Sequence, residues 1–301
     1  MSKILVTGGN GFIGSRVASV LSGQHKVVIL DLDKNENFDS VACDITDKEW
    51  IDSIGKFDYV FHFAYFGNGI FGTHNPIKLI NTELMGLSNV LDYALKNNTK
   101  KVIYSSSAIL SQKFRESFSF SKIQSNQYFS YPLAKLMGEY YLEEFHKENN
   151  IGYSIVRYYN VYGENQGNEM VIPSLIRKAI EGSPLILFGN GKQERDFTYV
   201  GDVAEATVLA AFSENTYSKA VNIGTGKQTK IVDIAKLIKK LTKSKSEIIK
   251  DEFPSGLQEL ETERIAFSSS YLKQLIGFEC KTPLEEGLKR MIDSIERNKK
   301  D

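Results

Sequence analysis

Cysteine is scarce in this sequence: Cys43 and Cys280 are the two present, far apart and outside any metal-like cluster. That excludes a disulfide scaffold and a cysteine metal centre, and it reads as two buried thiols in a reducing cytosol. A net charge is also missing, since Lys+Arg and Asp+Glu both number 37. Without an excess of either sign, no field draws the protein to nucleic acid or to an anionic membrane. No apolar run approaches the roughly 20 residues of a membrane span. The N-terminus shows no signal-peptide pattern and leads straight into a strand, and no repeat or low-complexity linker divides the chain. These absences predict a cytoplasmic protein with no metal and no nucleic-acid or membrane partner. Its 301 residues suffice for a sizeable core in one large or two modest domains.

What is present begins at the N-terminus. Ile4-Leu5-Val6 runs into Thr7-Gly8-Gly9-Asn10-Gly11-Phe12-Ile13-Gly14, then a helix-like segment, then Val27-Val28-Ile29-Leu30 closing on Asp31. Strand, glycine turn, helix, strand and acid is the order a dinucleotide-binding βαβ unit requires. Gly8 supplies the tight turn and Gly11 lets backbone N–H groups approach a pyrophosphate. Gly14 lets the helix, whose N-terminus faces the negative charge, lie close to the strand. Asp31 stands where a carboxylate accepts hydrogen bonds from the adenosine ribose. Its charge repels a 2′-phosphate, favouring NAD over NADP, and Lys34 is the one neighbour that could soften this preference.

Further along, Val41-Ala42-Cys43-Asp44-Ile45 reads as a short strand. Asp44 is placed either to reach the adenine amino group or to cap a helix over 47–54, a cap that Thr46 and Asp47 could also provide. Asp58-Tyr59-Val60-Phe61-His62-Phe63-Ala64 is a buried parallel strand with a core histidine. A loop holding Gly67, Gly69 and Gly72 leads to a helix from Pro76 to Asn97 with apolar residues at helical spacing, Leu79, Leu84, Leu87, Leu91 and Leu95. Lys101-Val102-Ile103-Tyr104 delivers three hydroxyls, Ser105, Ser106 and Ser107, to the carboxyl end of a strand, where open parallel sheets bind ligands. Tyr131 and Lys135 stand at i and i+4 on one helix face. An ammonium beside a phenol favours the phenolate and lowers the tyrosine from about 10. Ile155 to Gly163 reads as one more strand. Helices follow over 170–181, 231–241 and 283–297, with a strand at Val221-Asn222-Ile223-Gly224. The fold class is α/β, a Rossmann-type doubly wound parallel sheet with a smaller α/β substrate-binding lobe. The expected division gives 1–160, plus about 196–224, to the NAD-binding domain and about 161–195 and 225–301 to the lobe.

With these residues together, the chain resembles the extended short-chain dehydrogenase/reductases, in particular the NAD-dependent nucleotide-sugar epimerase/dehydratase family. The marks, spread over nearly the whole chain, are the Thr7–Gly14 turn, Asp31, Asp44-Ile45, Phe61-His62-Phe63-Ala64 and Ser105-Ser106-Ser107. They continue with Tyr131-Pro132-Leu133-Ala134-Lys135, Arg157-Tyr158-Tyr159-Asn160-Val161-Tyr162-Gly163 and Arg195-Asp196-Phe197-Thr198-Tyr199-Val200-Gly201-Asp202.

The resemblance implies that Ser107, Tyr131 and Lys135 are catalytic: Tyr131 the general base, Ser107 a hydrogen-bonding guide and Lys135 the pKa modifier and nicotinamide-ribose ligand. It implies an NAD site of Gly8, Gly11, Phe12, Ile13, Gly14, Asp31, Asp44, Ile45, Phe63, Ala64, Ser105, Tyr131, Lys135 and Tyr159. For the nucleotide-sugar substrate it implies Ser106, Ser107, Tyr131, Asn160, Arg195 and Arg264. Arg195 suits a diphosphate through its guanidinium fork. The family often forms homodimers through the helices bearing Tyr131 and Pro76–Asn97.

Three departures stand out. Ser107 is followed by Ala108-Ile109-Leu110-Ser111-Gln112, so Ser111 replaces a usual tyrosine in the sugar pocket. Glu83 stands where an asparagine is usual, three residues before Gly86, with Asn81 nearby. The late Arg-x-Gly-Asp-like element appears only as Pro254-Ser255-Gly256-Leu257, with Arg264 as a substitute for its arginine. Sugar 4,6-dehydratases carry an Asp-Glu pair after the catalytic hydroxyl to eliminate water. Ala108-Ile109 there disfavour that reaction. A 4-epimerase is the leading expectation, with a sugar 4-dehydrogenase or NADH-using 4-keto-sugar reductase as the alternative. A non-catalytic NAD-binding protein is disfavoured because Tyr131 and Lys135 are both retained.

Overall fold

The apolar runs at residues 4–6, 27–30, 60–63 and 102–104 have no polar face, so each must be covered on both sides, which a parallel sheet between helix layers achieves. The computed structural model, which describes residues 1–67, 75–110, 129–253 and 269–298, places them in that way. Strands β1 (Lys3–Thr7), β2 (Lys26–Asp31), β3 (Asp39–Ala42), β4 (Tyr59–His62), β5 (Lys101–Ser107), β6 (Gly152–Tyr158) and β10 (Lys219–Ile223) form one sheet. Its order is β10-β6-β5-β4-β1-β2-β3, parallel throughout. The order reverses between β1 and β4, and the crevice at that switch point is where doubly wound sheets bind ligands.

On one face lie α1 (Phe12–Ser22) and α6 (Val200–Phe212), joined to the sheet through Val17, Ala18, Leu21, Val203 and Ala210. On the other lie α2 (Glu49–Ser53), α3 (Pro76–Asn97) and α4 (Ser130–Asn149), contributing Trp50, Leu87, Leu91 and Leu142 to a second core. The ends of α3 coincide with the expectation because its punctuation is local. Asn75 caps the Lys78 N–H, Pro76 opens the first turn, and Asn98 closes it in the left-handed conformation. Leu79, Leu87 and Leu91 are buried as the spacing demands, whereas Leu95 faces outward.

The remaining elements make a separate core. Helices α5 (Val171–Glu181), α7 (Ile231–Leu241) and α9 (Leu284–Asn298) pack Ile172, Ile176, Ile234, Ile238, Leu288 and Met291 together. With them stand a two-stranded sheet, β8 (Leu185–Phe188) with β12 (Ile248–Asp251), and a three-stranded sheet ordered β11-β9-β7. Its members are β7 (Asn160–Tyr162), β9 (Glu194–Tyr199) and β11 (Gln228–Lys230). Helix α8 (Ser269–Ile276) packs against α6 and β10.

Three local readings are corrected. The expected single strand from Ile155 to Gly163 is two, β6 in the large sheet and β7 in the small one, with Tyr159 at the break. The strand before Asp44 ends at Ala42. Asp44 is not the cap of α2, which begins after Lys48 without a side-chain cap. Its carboxylate instead accepts from the Thr46 N–H and hydroxyl, a local turn. Of the stretch 196–224, α6 and β10 join the large sheet's layers, while 196–199 belong to β9 in the small sheet. Among the described residues no helix is long and apolar enough to cross a membrane.

Candidate functional site

Two adjoining cavities open at the carboxyl ends of β1, β4 and β5, and Gly8, Gly11, Phe63 and Tyr65 line both. The first, ≈ 310 Å³, is lined also by Asp31, Cys43, Asp44, Ile45 and Ala64. Gly8 has φ +69°, and a Cβ on it would sit 2.5 Å from the Ala64 nitrogen; one on Gly14 would collide with the Gly8 carbonyl. The two glycines therefore let the turn fold closely against the end of β4 and the start of α1, which sets the α1 N-terminus at the cavity that Gly8 and Gly11 line. Asp31 is oriented before any ligand arrives: one oxygen accepts the Asn10 N–H and the other the Leu32 N–H, both at 2.8 Å. Lys78 lines the same cavity, its ammonium 4.6 Å above the Phe66 ring. It was not singled out from sequence because its approach to the turn is tertiary.

The second cavity, ≈ 530 Å³, is lined by Phe12, Ile13, Gly14, Ser105, Ser106, Ser107, Tyr131, Lys135, Tyr159, Asn160 and Arg195. The two cavities thus gather every described residue assigned to the site. Tyr131 and Ser107 face the same cavity, and the Tyr131 ring lies edge-on to Tyr65 with centroids 5.5 Å apart. Lys135, one turn on, donates to the Ser105 carbonyl at 3.0 Å.

The electrostatics depart from expectation. Tyr131 is not lowered: burial pushes it up to about 12, the nearby Ser107 hydroxyl opposes this, and the charge of Glu83 adds to it. The source of the Glu83 contribution is visible in the packing. Lys135 is buried against Glu83, its nitrogen 2.9 Å from each carboxylate oxygen. Glu83 also accepts a hydrogen bond from the Tyr104 hydroxyl. Sequence spacing reveals the Tyr131–Lys135 pair but not a counter-charge from another helix. The unusual glutamate at this place was the one available signal.

Ser106, expected as a substrate ligand, borders the cavity, but its hydroxyl is turned away and donates to Glu139 at 2.5 Å. Glu139 in turn takes a two-pronged pair from Arg157, Nε at 2.8 Å and a terminal nitrogen at 2.6 Å. His62 is the expected core histidine. Its Nδ1 lies 2.7 Å from the Thr7 hydroxyl, and burial, aided by the Lys135 charge, lowers it to about 3.

On the far wall, parallel pairing of β7 with β9 sets Asn160 beside the strand that carries Arg195. The next residue, Asp196, is buried and accepts from Thr225 and Gly226, fixing the turn after β10. Gln166, Glu169 and Met170 complete this wall and were not singled out in the sequence. Gly69, Gly72, Ser111, Gln112, Pro254, Ser255, Gly256, Leu257 and Arg264 lie outside the described residues. Among the described residues no group of acids, histidines or cysteines could hold a metal. A half-buried phenol and a serine hydroxyl lining one cavity, an ammonium one turn away and a glycine turn adjoining them make a site suited to proton exchange with an alcohol beside a bound dinucleotide.

The sequence model of the NAD dependent epimerase/dehydratase family matches residues 4–224. A protein of Methanocaldococcus jannaschii described as a putative UDP-glucose 4-epimerase is 32% identical, over 98% of this chain and 99% of that one. A UDP-N-acetyl-alpha-D-glucosaminuronate decarboxylase of Bacillus cytotoxicus is also 32% identical, over 96% of each chain. The solved UDP-glucose 4-epimerase of Thermotoga maritima, with UDP-glucose bound, matches with TM-score 0.86 at 28% identity, covering 98% of this chain and 99% of that one.

Proposed function

The chain belongs to the NAD-dependent epimerase/dehydratase family and is an NAD-dependent enzyme, and from that premise we propose that it is a nucleotide-sugar 4-epimerase working through a transient 4-keto sugar. The observation that carries this reading is that Ser107, Tyr131 and Lys135 line one large cavity beside the glycine turn, with Lys135 one turn behind Tyr131 and Ala108-Ile109 following the serine. In this reading the dinucleotide lies along Gly8, Gly11, Phe12, Ile13 and Gly14. Asp31 takes the adenosine ribose, with Asp44 and Ile45 beside the adenine, and Phe63, Ala64, Ser105 and Tyr159 line the rest. The chemistry NAD supplies when bound is reversible hydride acceptance at C4 of the sugar. Tyr131 takes the C4 hydroxyl proton and returns it on the second half of the cycle, guided by the Ser107 hydroxyl. Lys135 reaches the nicotinamide ribose. Asn160, Arg195 and Arg264 hold the sugar's diphosphate, Arg195 through its fork.

Ala108 and Ile109 provide neither acid nor base, which weighs against elimination of water. Among the described residues the cations lining the large cavity are Lys135, bound to Glu83, and Arg195, assigned to the diphosphate. That favours an uncharged sugar over a uronate and so a 4-epimerase over a decarboxylase. The exposed Met85, Leu95, Met137 and Tyr140 on the packed helices α3 and α4 support a homodimer through that face. The free Cys43 and Cys280 accord with the cytoplasm. The two-lobe division stands as the frame of the reading, with the large sheet holding NAD and the second core closing over the sugar.

The test uses purified protein without added cofactor. Released nucleotide is identified after denaturation, and ultraviolet spectra are followed as UDP-glucose, UDP-galactose, their N-acetylated forms and UDP-glucuronate are added. Retained NAD, with sugar interconversion and no net NADH, is the expected outcome. Net NADH tied to one sugar would replace the epimerase by a dehydrogenase or reductase, and loss of CO2 from UDP-glucuronate would make it a decarboxylase. Tyr131→Phe is expected to bind NAD and lose about 100-fold in turnover, the scale of a general base. Near-normal turnover would remove Tyr131 from the mechanism.

A further inference from the structure

Glu83 has no role in the chemistry described so far, yet it is fully buried and reaches the centre of the site. It projects from α3, whereas Lys135 and Tyr131 belong to α4, so the pair spans two helices over the end of β5. Both carboxylate oxygens lie 2.9 Å from the Lys135 nitrogen, and the Tyr104 hydroxyl donates to one of them. Gly138 on α4 makes that reach possible, because a Cβ there would collide with the Tyr104 hydroxyl. The ammonium is further enclosed by the Tyr65 and Tyr104 rings, 4.9 and 5.0 Å from their centroids. Of the three N–H donors of a lysine, one goes to Glu83 and one to the Ser105 carbonyl.

We propose that Glu83 is a positioning residue of this site: its carboxylate clamps Lys135 against the Ser105 carbonyl and offsets the ammonium's charge at Tyr131. The proposal rests on the reading of Tyr131 as the base and deepens it. A lysine alone beside a phenol favours the phenolate by Coulomb attraction, and an anion in contact with that lysine cancels most of the effect. The groups facing the pair from the surrounding elements are Tyr65 after β4, Tyr104 and Ser107 on β5 and, deeper, His62 on β4 and Glu139 on α4. His62 is held neutral and Glu139 is matched by Arg157, so Glu83 is the anion whose charge reaches Tyr131. Burial holds Tyr131 protonated and the Glu83 charge adds to this, while Lys135 stays fixed. Ionisation then depends on a further positive charge entering the cavity, as the oxidised nicotinamide of bound cofactor brings.

The test is the titration of Tyr131 itself, which needs no substrate. NAD-loaded protein carrying tyrosine labelled with carbon-13 at Cζ is titrated by NMR, and the Tyr131 resonance is assigned by its loss in Tyr131→Phe. In Glu83→Gln the midpoint is expected to fall by about one unit, the lower end of the effect of a neighbouring charge. Glu83→Asn, also neutral, is expected to do the same and serves if the glutamine variant does not fold. Glu83→Asp keeps the charge and is expected to leave the midpoint in place. A Tyr131 resonance that titrates no earlier in the two neutral variants than in the wild type overturns the proposal, because a purely structural glutamate would behave so. The base assignment fails separately, if Tyr131→Phe keeps near-normal turnover whatever the titration shows.

Discussion

Tyr104 and Ser106 stand two residues apart on β5, hence on one face of the strand, and each donates its hydroxyl to a buried glutamate paired with a cation. Tyr104 meets Glu83 and Lys135; Ser106 meets Glu139 and Arg157. The trios share their parts, and what separates them is the cation and its place. Arg157 fills both oxygens of Glu139 with a rigid fork, the geometry suited to a permanent buried pair. Lys135 is a point charge at the cavity wall, one helical turn from Tyr131, the residue proposed as the general base. On the proposed reading, the same chemistry serves as a strut at Glu139 and as a setting for a proton-transfer group at Glu83.

The largest effect expected on this contrast comes from Glu139→Gln. It leaves the Arg157 guanidinium without its anion, and removing one partner of a buried pair costs about 3 kcal/mol or more. The urea midpoint should fall with little change in slope, and turnover per folded molecule should persist. Glu83→Gln should cost less stability, because Lys135 and Tyr104 donate to the same oxygen of Glu83 and an amide oxygen can still accept both, whereas Glu139→Gln loses one prong of the fork. A larger loss at Glu83 than at Glu139 would break the distinction between strut and tuning pair. Next in size is Arg157→Lys, which keeps the charge but gives up one prong of the fork. A hydrogen bond to a charged group is worth about 1.5 kcal/mol or more, and the urea midpoint should drop accordingly. An unchanged midpoint would mean that charge alone, and not the fork, holds Glu139.

The contrast also marks how far the sequence can be read. The β1–α1–β2 unit is legible because glycines, apolar runs and a terminal acid are all local, and α3 is legible from Asn75, Pro76 and Asn98. Tyr131 and Lys135 are legible as a helical pair, and the structure sets them at one cavity with Ser107. Their electrostatics are not legible, because Glu83 meets Lys135 from another helix, and the unusual glutamate before Gly86 does not by itself announce its partner. The break at Tyr159 is hidden for a similar reason. Apolar and aromatic residues continue from Ile155 to Tyr162, and only pairing with β9 shows that the last three belong to another sheet. The sheet of β8 with β12 depends wholly on long-range pairing, and its strands have no expectation to match. Asp44 is the reverse case, in which the local turn at Thr46 wins over the cap that its position suggests.

The smallest change sharpens the contrast most. Ser106→Ala removes one donor from Glu139, but the same oxygen keeps the Arg157 Nε at 2.8 Å, so no buried anion is stranded. The cost should be that of one hydrogen bond, about 1 kcal/mol, read as a small fall in the urea midpoint. Because Arg157 already neutralises Glu139, losing the hydroxyl should send no charge toward the cavity. The Tyr131 titration and the turnover should therefore stay at their wild-type values. Ser106 borders the cavity, so a substrate-binding role would instead raise KM with stability nearly intact. A variant that loses stability without raising KM assigns Ser106 to the strut; one that raises KM returns it to the sugar.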